Sequence, residues 1–318
     1  MKFLRSRSVW LTIINLVVIT ALLYYLYSNA DQYLGLLHLS ATKILLILIL
    51  SSTSPLLNGL INAYMFQSLG VKLNLKDGFF LAAASTLANE LPVAGGIFAK
   101  GYYLKNRYNL SYTKYFSASL AFFVCIVAVN GGIGLVILSY WAVFKGTISS
   151  PFLWIGFGAM TAVLLVFLLP LKHGSIPGKI RLWIDRFLDG WMLISNNPRL
   201  LIKLIIFQTA LMFVFAVRYW LSFHMVSQYV TFSQSVLFSS ATVLTQLVSF
   251  APGGLGVREA IVGSLSSVLG FSLQGSVAAV GLDRLISTTV TVLIGWPSII
   301  ILGNKIKDVR DLDKGKDF

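Results

Sequence analysis

The sequence predicts an all-α polytopic membrane protein, with about six full transmembrane helices plus two re-entrant (broken) helical hairpins arranged as an inverted repeat. Three observations predict this fold class. The composition is that of a membrane protein, with 57% hydrophobic residues, 11% charged residues and a mean hydropathy of +0.81. Several apolar segments are long enough to cross a bilayer, and two further segments carry the same glycine-rich interruption. A water-soluble fold is therefore excluded.

Six segments have the length and composition of membrane-spanning helices, which need about 20 mostly apolar residues. They are Val9–Tyr27, Ile44–Phe66, Tyr115–Tyr140, Phe152–Pro170, Leu200–Phe223 and Ser276–Leu302. The first lacks a convincing small-residue cleavage site and its apolar run is too long for a signal peptide, so we interpret it as a membrane anchor. We expect residues 1–318 to form a single integral membrane domain.

The distribution of cations predicts the orientation of the chain. The cations on one predicted side are Lys2, Arg5, Arg7, Lys72, Lys76, Lys105, Arg107, Lys114, Lys172, Lys179, Arg181, Arg186, Lys305, Lys307, Arg310, Lys314 and Lys316. The opposite side carries only Lys43 and Lys145. The positive-inside rule then places both termini in the cytoplasm, and we expect the inner (cytoplasmic) membrane. The net charge of +14 is mainly this topology signal together with attraction to anionic lipid, so nucleic-acid binding is excluded.

The same glycine-rich motif occurs twice in the chain. Each copy lies between two apolar stretches that are too short to cross a bilayer. Gly95-Gly96 follows Pro92, and Gly253-Gly254 follows Pro252 at an offset of 158 residues, counted from position 95 to position 253. In each copy a cation, Lys100 or Arg258, comes four residues after the glycine pair. A broken helix exposes backbone polar groups that protein or water must satisfy. Two such breaks in corresponding positions indicate the binding site of a transporter.

The motif divides the chain into two units. We predict repeat 1 at 43–140, with a hairpin at 79–106, and repeat 2 at 199–303, with a hairpin at 236–270. An N-terminal anchor at 1–42 precedes the repeats and a charged cytoplasmic tail at 304–318 follows them. A linking helix and a cytoplasmic amphipathic helix lie between the repeats, within 141–198. Three crossings separate the starts of the repeats, so repeat 2 is expected to be inverted relative to repeat 1. The alternative is that both hairpins span the membrane fully as helix pairs.

Charged residues inside the predicted membrane region are the candidate site, because each is costly unless it is paired or hydrated. We assign a lipid phosphate to Arg258 and Lys100, since cations with several donors match phosphate oxygens. The returning half-helices begin at the Gly-Gly turns, so their positive N-terminal ends are expected to point at the same place. Glycine lets the backbone approach a ligand closely and adopt a positive φ.

The remaining intramembrane charges have two interpretations. Glu90, Glu259 and Asp283 either balance the empty site or change protonation during transport. Alternatively, Arg258 or Arg284 pairs with Asp283 or Glu259 in a structural ion pair that holds the second hairpin to the last span. Arg218 lies near the outer end of its span, where we expect it to snorkel or to bind a head group.

Metal and nucleotide chemistry have no sequence support. His38, His173 and His224 are scattered over three loops without metal-ligand spacing. No nucleotide-binding loop or nucleophile elbow is present in the sequence. We therefore expect no metal, no cofactor and no catalytic residue, and an ATP-driven pump would need a separate subunit.

Two sequence elements resemble a known family. The element Pro252-Gly-Gly-Leu-Gly-Val-Arg-Glu259, with Leu91-Pro92-Val-Ala-Gly-Gly96 in the first half, is similar to the signature of the lysylphosphatidylglycerol synthase transmembrane (flippase-like) family. The resemblance covers roughly residues 43–301. It implies a lipid translocase core, which the best-known members fuse to a cytoplasmic transferase that attaches an amino acid to phosphatidylglycerol. Because this sequence stops at Phe318, we do not expect aminoacyl-lipid synthesis.

The predicted function is therefore a transporter, a flippase-like lipid translocase. It would move an anionic or aminoacylated phospholipid, or a lipid-linked intermediate, between leaflets. The expected partners are membrane phospholipids or a lipid-linked substrate, together with a separate transferase or glycosyltransferase. The oligomeric state is left open, with a homodimer as one candidate. Two alternatives remain: an accessory or scaffold protein for cell-envelope lipid or polysaccharide biosynthesis, and a membrane enzyme acting on a lipid phosphate.

Overall fold

The computed structural model describes residues 39–90, 95–146, 150–168, 196–246 and 256–314, together with the single residues 185, 191, 192 and 254. The regular structure in these ranges is helical. The α-helices are α1 (Ala41–Ser68), α2 (Leu75–Asn89), α3 (Gly95–Tyr108), α4 (Tyr112–Phe144), α5 (Pro151–Leu168), α6 (Pro198–Met225), α7 (Phe232–Thr242), α8 (Val257–Val268) and α9 (Leu273–Lys314). A short 3₁₀ turn, Val243–Gln246, continues α7. The predicted all-α fold class is confirmed.

Four of the described helices are long and apolar enough to cross a membrane, namely α1, α4, α6 and the segment Leu273–Lys307 of α9. They contain the second, third, fifth and sixth predicted spans. The fourth predicted span coincides with α5, whose described apolar part, Pro151–Val163, is shorter. The predicted anchor at 9–27 lies outside the described residues, as does most of the predicted amphipathic helix between positions 179 and 191.

The turns that follow α1 and α6 repeat the same hydrogen bond. The Phe66 carbonyl accepts a hydrogen bond from the Val71 N–H at 3.0 Å, and the Phe223 carbonyl accepts one from the Gln228 N–H at 3.0 Å. The two bonds lie 157 positions apart, from 66 to 223. The side chains of both phenylalanines are fully buried. The turns are therefore equivalent parts of two structural units.

Helix capping repeats as well. Asn74 caps α2 and Thr231 caps α7, each by accepting a backbone N–H from three residues ahead. Further along, the hydroxyls of Ser111 and Ser272 each accept such a bond at 3.3 Å, at the starts of α4 and α9. Helices α1 to α4 form unit 1 and helices α6 to α9 form unit 2.

The first helices of the two units pack against each other in opposite directions. Near the end of α1, the Tyr64 ring stacks on Phe207 in the first half of α6, with ring centres 5.7 Å apart. Near the start of α1, Ile47 packs with Leu221 and Met225 in the last turns of α6. Because α1 and α6 are equivalent helices, this antiparallel contact means that the units are inverted. Which membrane side each unit faces stays a prediction.

Packing between the units is reciprocal. The last helix of unit 2, α9, packs along α2, the first arm of the hairpin in unit 1, and α4 packs along α7 in the same way. One apolar cluster joins α4, α5 and unit 2, and a second joins unit 1 to the start of α6 and the end of α9. Each broken hairpin is thus held by a long helix of the other unit.

Two glycines let α1 and α2 approach each other at backbone distance. A Cβ atom added to Gly59 would lie 2.8 Å from the Phe79 Cα atom. One added to Gly78 would lie 2.6 Å from the Gly59 carbonyl oxygen. Small residues of this kind permit close helix packing inside membranes, where burial of apolar surface gives little driving force. Any side chain at Gly59 must therefore separate the hairpin from α1.

We expect Gly59→Ala to destabilise the protein by about 1–3 kcal/mol, because overpacking of this size displaces backbone. Thermal unfolding in detergent measures the change. Gly281→Ala is the matched control, since no atom lies within 4 Å of its added Cβ. The control should be as stable as the wild type or slightly more stable, because alanine is the better helix former. A Gly59→Ala variant that unfolds with the wild type would contradict the tight α1–α2 contact.

Candidate functional site

The first hairpin is closed by Asn89, which sequence reasoning did not single out. α2 ends at Asn89, and its side-chain carbonyl accepts a hydrogen bond at 2.9 Å from the N–H of Gly96, in the first turn of α3. A Cβ atom at Gly96 would collide with the Ser85 carbonyl oxygen and with Asn89. Gly95 is the first residue of α3. The first copy of the motif therefore uses glycine for close approach between the two arms.

The second hairpin uses glycine differently. Gly254 and Gly256 have φ values of +71° and +81°, in the left-handed region that favours glycine. The N–H of Gly256 donates to Glu259 Oε2 at 2.9 Å, so Glu259 caps the start of α8. This gives the predicted site residue Glu259 a structural contact. Three further predicted site residues lie outside the described residues: Pro92, Pro252 and Gly253.

The motif cations occupy equivalent places in the two units. Lys100 Nζ donates to Asn62 Oδ1 of α1 at 3.3 Å. The Arg258 guanidinium lies over the Tyr219 ring of α6, 5.4 Å from its centre. Positions 62 and 219 are separated by the same 157 residues as the equivalent turns. Each returning arm therefore presents its cation to the first helix of its own unit.

Arg218 forms the closest buried ion pair of the site. Its Nε and Nη2 atoms donate to the two carboxylate oxygens of Asp283, both at 2.8 Å. The exposed fractions of the two side chains are 3% and 0%. The expectation that Arg218 snorkels or binds a head group was wrong. α9 places a carboxylate directly opposite the guanidinium, and this bidentate pairing compensates the charge inside the protein.

Arg258 shares the same carboxylate at longer range. Its Nη1 atom lies 3.9 Å from Asp283 Oδ2, which already accepts from Arg218. The two guanidinium groups also lie over one aromatic ring, Phe215, at 5.2 Å for Arg258 and 4.8 Å for Arg218. Two cations thus depend on one carboxylate and on aromatic faces. Of the two, Arg258 is the less tightly held and the more exposed.

Arg284 connects the two hairpins. Its Nη1 atom donates to Glu259 Oε1 at 3.2 Å, and its Nη2 atom lies 3.9 Å from Glu90 Oε2 at the end of α2. The structural ion-pair interpretation of Arg284 and Glu259 therefore matches an observed contact. The arrangement brings hairpin one, hairpin two and α9 together at a single side chain.

The seven charges differ in how well they are compensated. Three arginines face three carboxylates in two groups. Arg218 and Arg258 share Asp283, and Arg284 contacts Glu259 and Glu90. Within the described part of the chain, Lys100 forms no ion pair and contacts the neutral amide of Asn62. Asn62 is itself 3% exposed, and its amide nitrogen has no partner there. Lys100 and Asn62 thus form a polar corner that has free donors.

A profile of the lysylphosphatidylglycerol synthase TM region matches residues 12–295. The chain belongs to this family. The match extends over most of the sequence and confirms the resemblance carried by the two Gly-Gly elements. The protein is thus a multi-pass membrane protein of the lysylphosphatidylglycerol synthase TM type.

Two relatives are also described as membrane proteins. The UPF0104 membrane protein MJ1595 of Methanocaldococcus jannaschii is 24% identical over a 348-residue alignment, which covers 99% of this chain and 100% of that protein. The UPF0104 membrane protein PH1989 of Pyrococcus horikoshii is 24% identical over 135 residues, which cover 42% of this chain and 40% of that protein. Neither name states a substrate.

One further ion pair of this lysylphosphatidylglycerol synthase TM family member escaped sequence reasoning. Lys305, near the end of α9, pairs with buried Asp77 in the first turn of α2. The Tyr108 hydroxyl lies 3.5 Å from the same carboxylate. Sequence reasoning assigned Lys305 to the charged tail, whereas α9 continues through it. The available signal was the single acid, Asp77, close to Lys72 and Lys76 at the start of α2.

We expect Arg218→Met to destabilise this family member by about 3–5 kcal/mol, because it leaves the buried Asp283 carboxylate without its bidentate partner. Detergent thermal unfolding and the yield of monodisperse protein measure the loss. The double variant Arg218→Met/Asp283→Asn removes both charges and should regain part of the stability. Equal unfolding temperatures for Arg218→Met and the wild type would refute a stabilising role for the pair.

Proposed function

We propose that the protein is a lipid translocase that moves an anionic or aminoacylated phospholipid, or a lipid-linked intermediate, between the leaflets of the inner membrane. The observation that carries the proposal is the Lys100–Asn62 corner, a cation and a buried amide with spare donors on a broken hairpin of an inverted repeat. Intramembrane charges of this kind usually mark a substrate pathway.

The chemistry of the corner suits a phosphate group. A lysine ammonium has three donors, and Asn62 Oδ1 takes one of them. The Asn62 amide nitrogen adds donors that have no partner in the described part of the chain. A phosphate oxygen placed between Lys100 and Asn62 would satisfy both groups with a charge-assisted bond. A neutral sugar or an apolar chain would leave the ammonium uncompensated.

The second hairpin supplies the other half of the proposed site. The Arg258 Nη1 atom lies 3.9 Å from Asp283 Oδ2, which is too long for a hydrogen bond. A phosphate can therefore compete with that carboxylate for the guanidinium. Glu90, Glu259 and Arg284 then keep the group electrically balanced while the head group passes. Gly95, Gly96 and Gly254 shape the turns beside these cations.

The inverted arrangement suggests how movement occurs. Each hairpin packs on a long helix of the opposite unit, so a rocking of one unit against the other would open the space between the hairpins to one leaflet at a time. The head group would cross this polar space while the acyl chains stay in lipid. Both termini would face the cytoplasm, as the positive-inside rule predicts.

The family description supports the substrate class. It names lysylphosphatidylglycerol synthase, an enzyme whose product is an aminoacylated phospholipid. An anionic phospholipid and its aminoacylated form share the phosphodiester that Lys100 is proposed to bind. We therefore take the phosphodiester, rather than the amino acid, as the group that the site recognises.

We expect Lys100→Met to lower lipid translocation at least about tenfold, because the free energy of one charge-assisted hydrogen bond corresponds to a factor of that size. The assay is leaflet-resolved movement in proteoliposomes of head-group-labelled phosphatidylglycerol, lysyl-phosphatidylglycerol and a polyprenyl-phosphate sugar. Arg258→Ala should abolish the same movement. Both variants must retain the wild-type unfolding temperature for the comparison to hold.

Lys105→Met is the matched control, since Lys105 is an exposed cation on the same helix and donates to Asn109. It should translocate lipid at the wild-type rate. Wild-type movement in Lys100→Met would overturn the assigned phosphate ligand. No movement of any of the three lipids by folded, inserted wild-type protein would overturn the translocase proposal and favour the accessory role.

A further inference from the structure

An open pocket lies away from the hairpin charges, where the end of α1 meets the start of α6. Its volume is about 330 Å³. It is lined by Tyr64, Gln67, Ser68, Asn197, Arg199, Leu200 and Lys203. The lysines that follow α1, Lys72 and Lys76, put this end on the predicted cytoplasmic side. The pocket is therefore at head-group depth rather than at the centre of the membrane.

The pocket is basic and aromatic. Arg199 and Lys203 are exposed, and neither forms an ion pair within the described ranges. Its described lining includes no aspartate or glutamate. Lys203 Nζ lies 4.8 Å from the centre of the Tyr64 ring, which holds the ammonium at the pocket wall. An anion is the ligand that this charge pattern favours.

An apolar surface continues from the cations along α6. Ile202 and Ile206 come three residues after Arg199 and Lys203, which places each of them one turn further on the same face. Their side chains are 56% and 57% exposed. In a membrane protein, exposed isoleucines beside exposed cations match the junction between a lipid head group and its acyl chains. A free phosphate ion has no apolar part that could contact this surface.

The internal repeat shows that the pocket belongs to one end only. By the 157-residue offset, Arg199 corresponds to Thr42 and Lys203 to Leu46, at the opposite end of the α1–α6 contact. Tyr64 corresponds in the same way to Leu221. The backbone arrangement is repeated in the two units, whereas the two cations and the aromatic ring occur at one end only. The repeated fold therefore does not depend on these side chains.

We propose that this pocket is a second anionic-lipid site, in which Arg199 and Lys203 bind the phosphate and Ile202 and Ile206 contact the acyl chains. The site is separate from the Lys100–Asn62 corner and does not depend on the proposed translocation. Its ligand class is a glycerophospholipid with net negative charge. A lipid bound here bridges the first helices of the two inverted units.

Photo-crosslinking tests the proposal in full-length protein reconstituted in phosphatidylcholine nanodiscs. The probe is phosphatidylglycerol with a diazirine on one acyl chain, and crosslinked peptides are identified by mass spectrometry. We expect labelling of the peptide that contains Ile202 and Ile206. Arg199→Ala/Lys203→Ala should reduce that labelling about tenfold, because each cation near an anionic surface contributes several-fold.

Lys72→Ala/Lys76→Ala is the matched control, which removes two exposed cations on the same predicted side but outside the pocket. It should label like the wild type. The single variants Arg199→Ala and Lys203→Ala should each show an intermediate loss, which keeps the test valid if the double variant folds poorly. Unchanged labelling in all three pocket variants would overturn the site.

Two further arms identify the ligand. A diazirine phosphatidylcholine probe should label the same peptide far less, and equal labelling would overturn selection of an anionic head group. Excess inorganic phosphate should leave phosphatidylglycerol labelling unchanged. Displacement by inorganic phosphate would assign the pocket to free phosphate and overturn the lipid site.

Discussion

Compensation of buried charge is the constraint on which the second unit depends. Asp283 is fully buried, and its two oxygens are taken by Arg218 from α6. A carboxylate in that position without a partner would cost several kcal/mol, so the pair holds α6 and α9 together. Arg258 joins the pair at longer range and carries the returning arm α8 with it. The ion pair thus holds α6 and α9 together and links α8 to them at longer range.

The two units share a backbone and differ in charge. The turns after α1 and α6 and the caps of α2 and α7 repeat with an offset of 157, and each hairpin cation faces the first helix of its unit. In unit 2 that cation, Arg258, meets an aromatic ring and a shared carboxylate. In unit 1 Lys100 meets the neutral Asn62. The equivalent cations of the two units therefore differ in their partners: Arg258 has a carboxylate partner, whereas Lys100 contacts a neutral amide.

Local features of the chain were predictable because their physical causes are local. Hydropathy over about 20 residues locates α1, α4, α6 and α9 without knowledge of their neighbours. The break at Gly95 and the family signature were likewise visible in a few consecutive residues. The pairing of charged side chains was not predictable in this way, because the partners are distant in the sequence. Arg218 pairs with Asp283 across 65 positions, and Lys305 pairs with Asp77 across 228. Arg218 was expected to snorkel or to bind a head group because it lies near the outer end of its predicted span, and its partner Asp283 is distant in the sequence.

The sequence by itself determined that the protein lies in a membrane, that it is helical, that two glycine-rich breaks interrupt it and which family it belongs to. Composition and short-range patterns are sufficient for these, since hydrocarbon forces every spanning backbone to satisfy itself within a helix. Only the tertiary structure decided which charges neutralise each other, because burial cost depends on what a neighbouring helix places opposite each side chain. The tertiary structure also placed Lys100 beside the neutral Asn62, and it brought the Asn89 side chain to the Gly96 N–H, which closes the first hairpin.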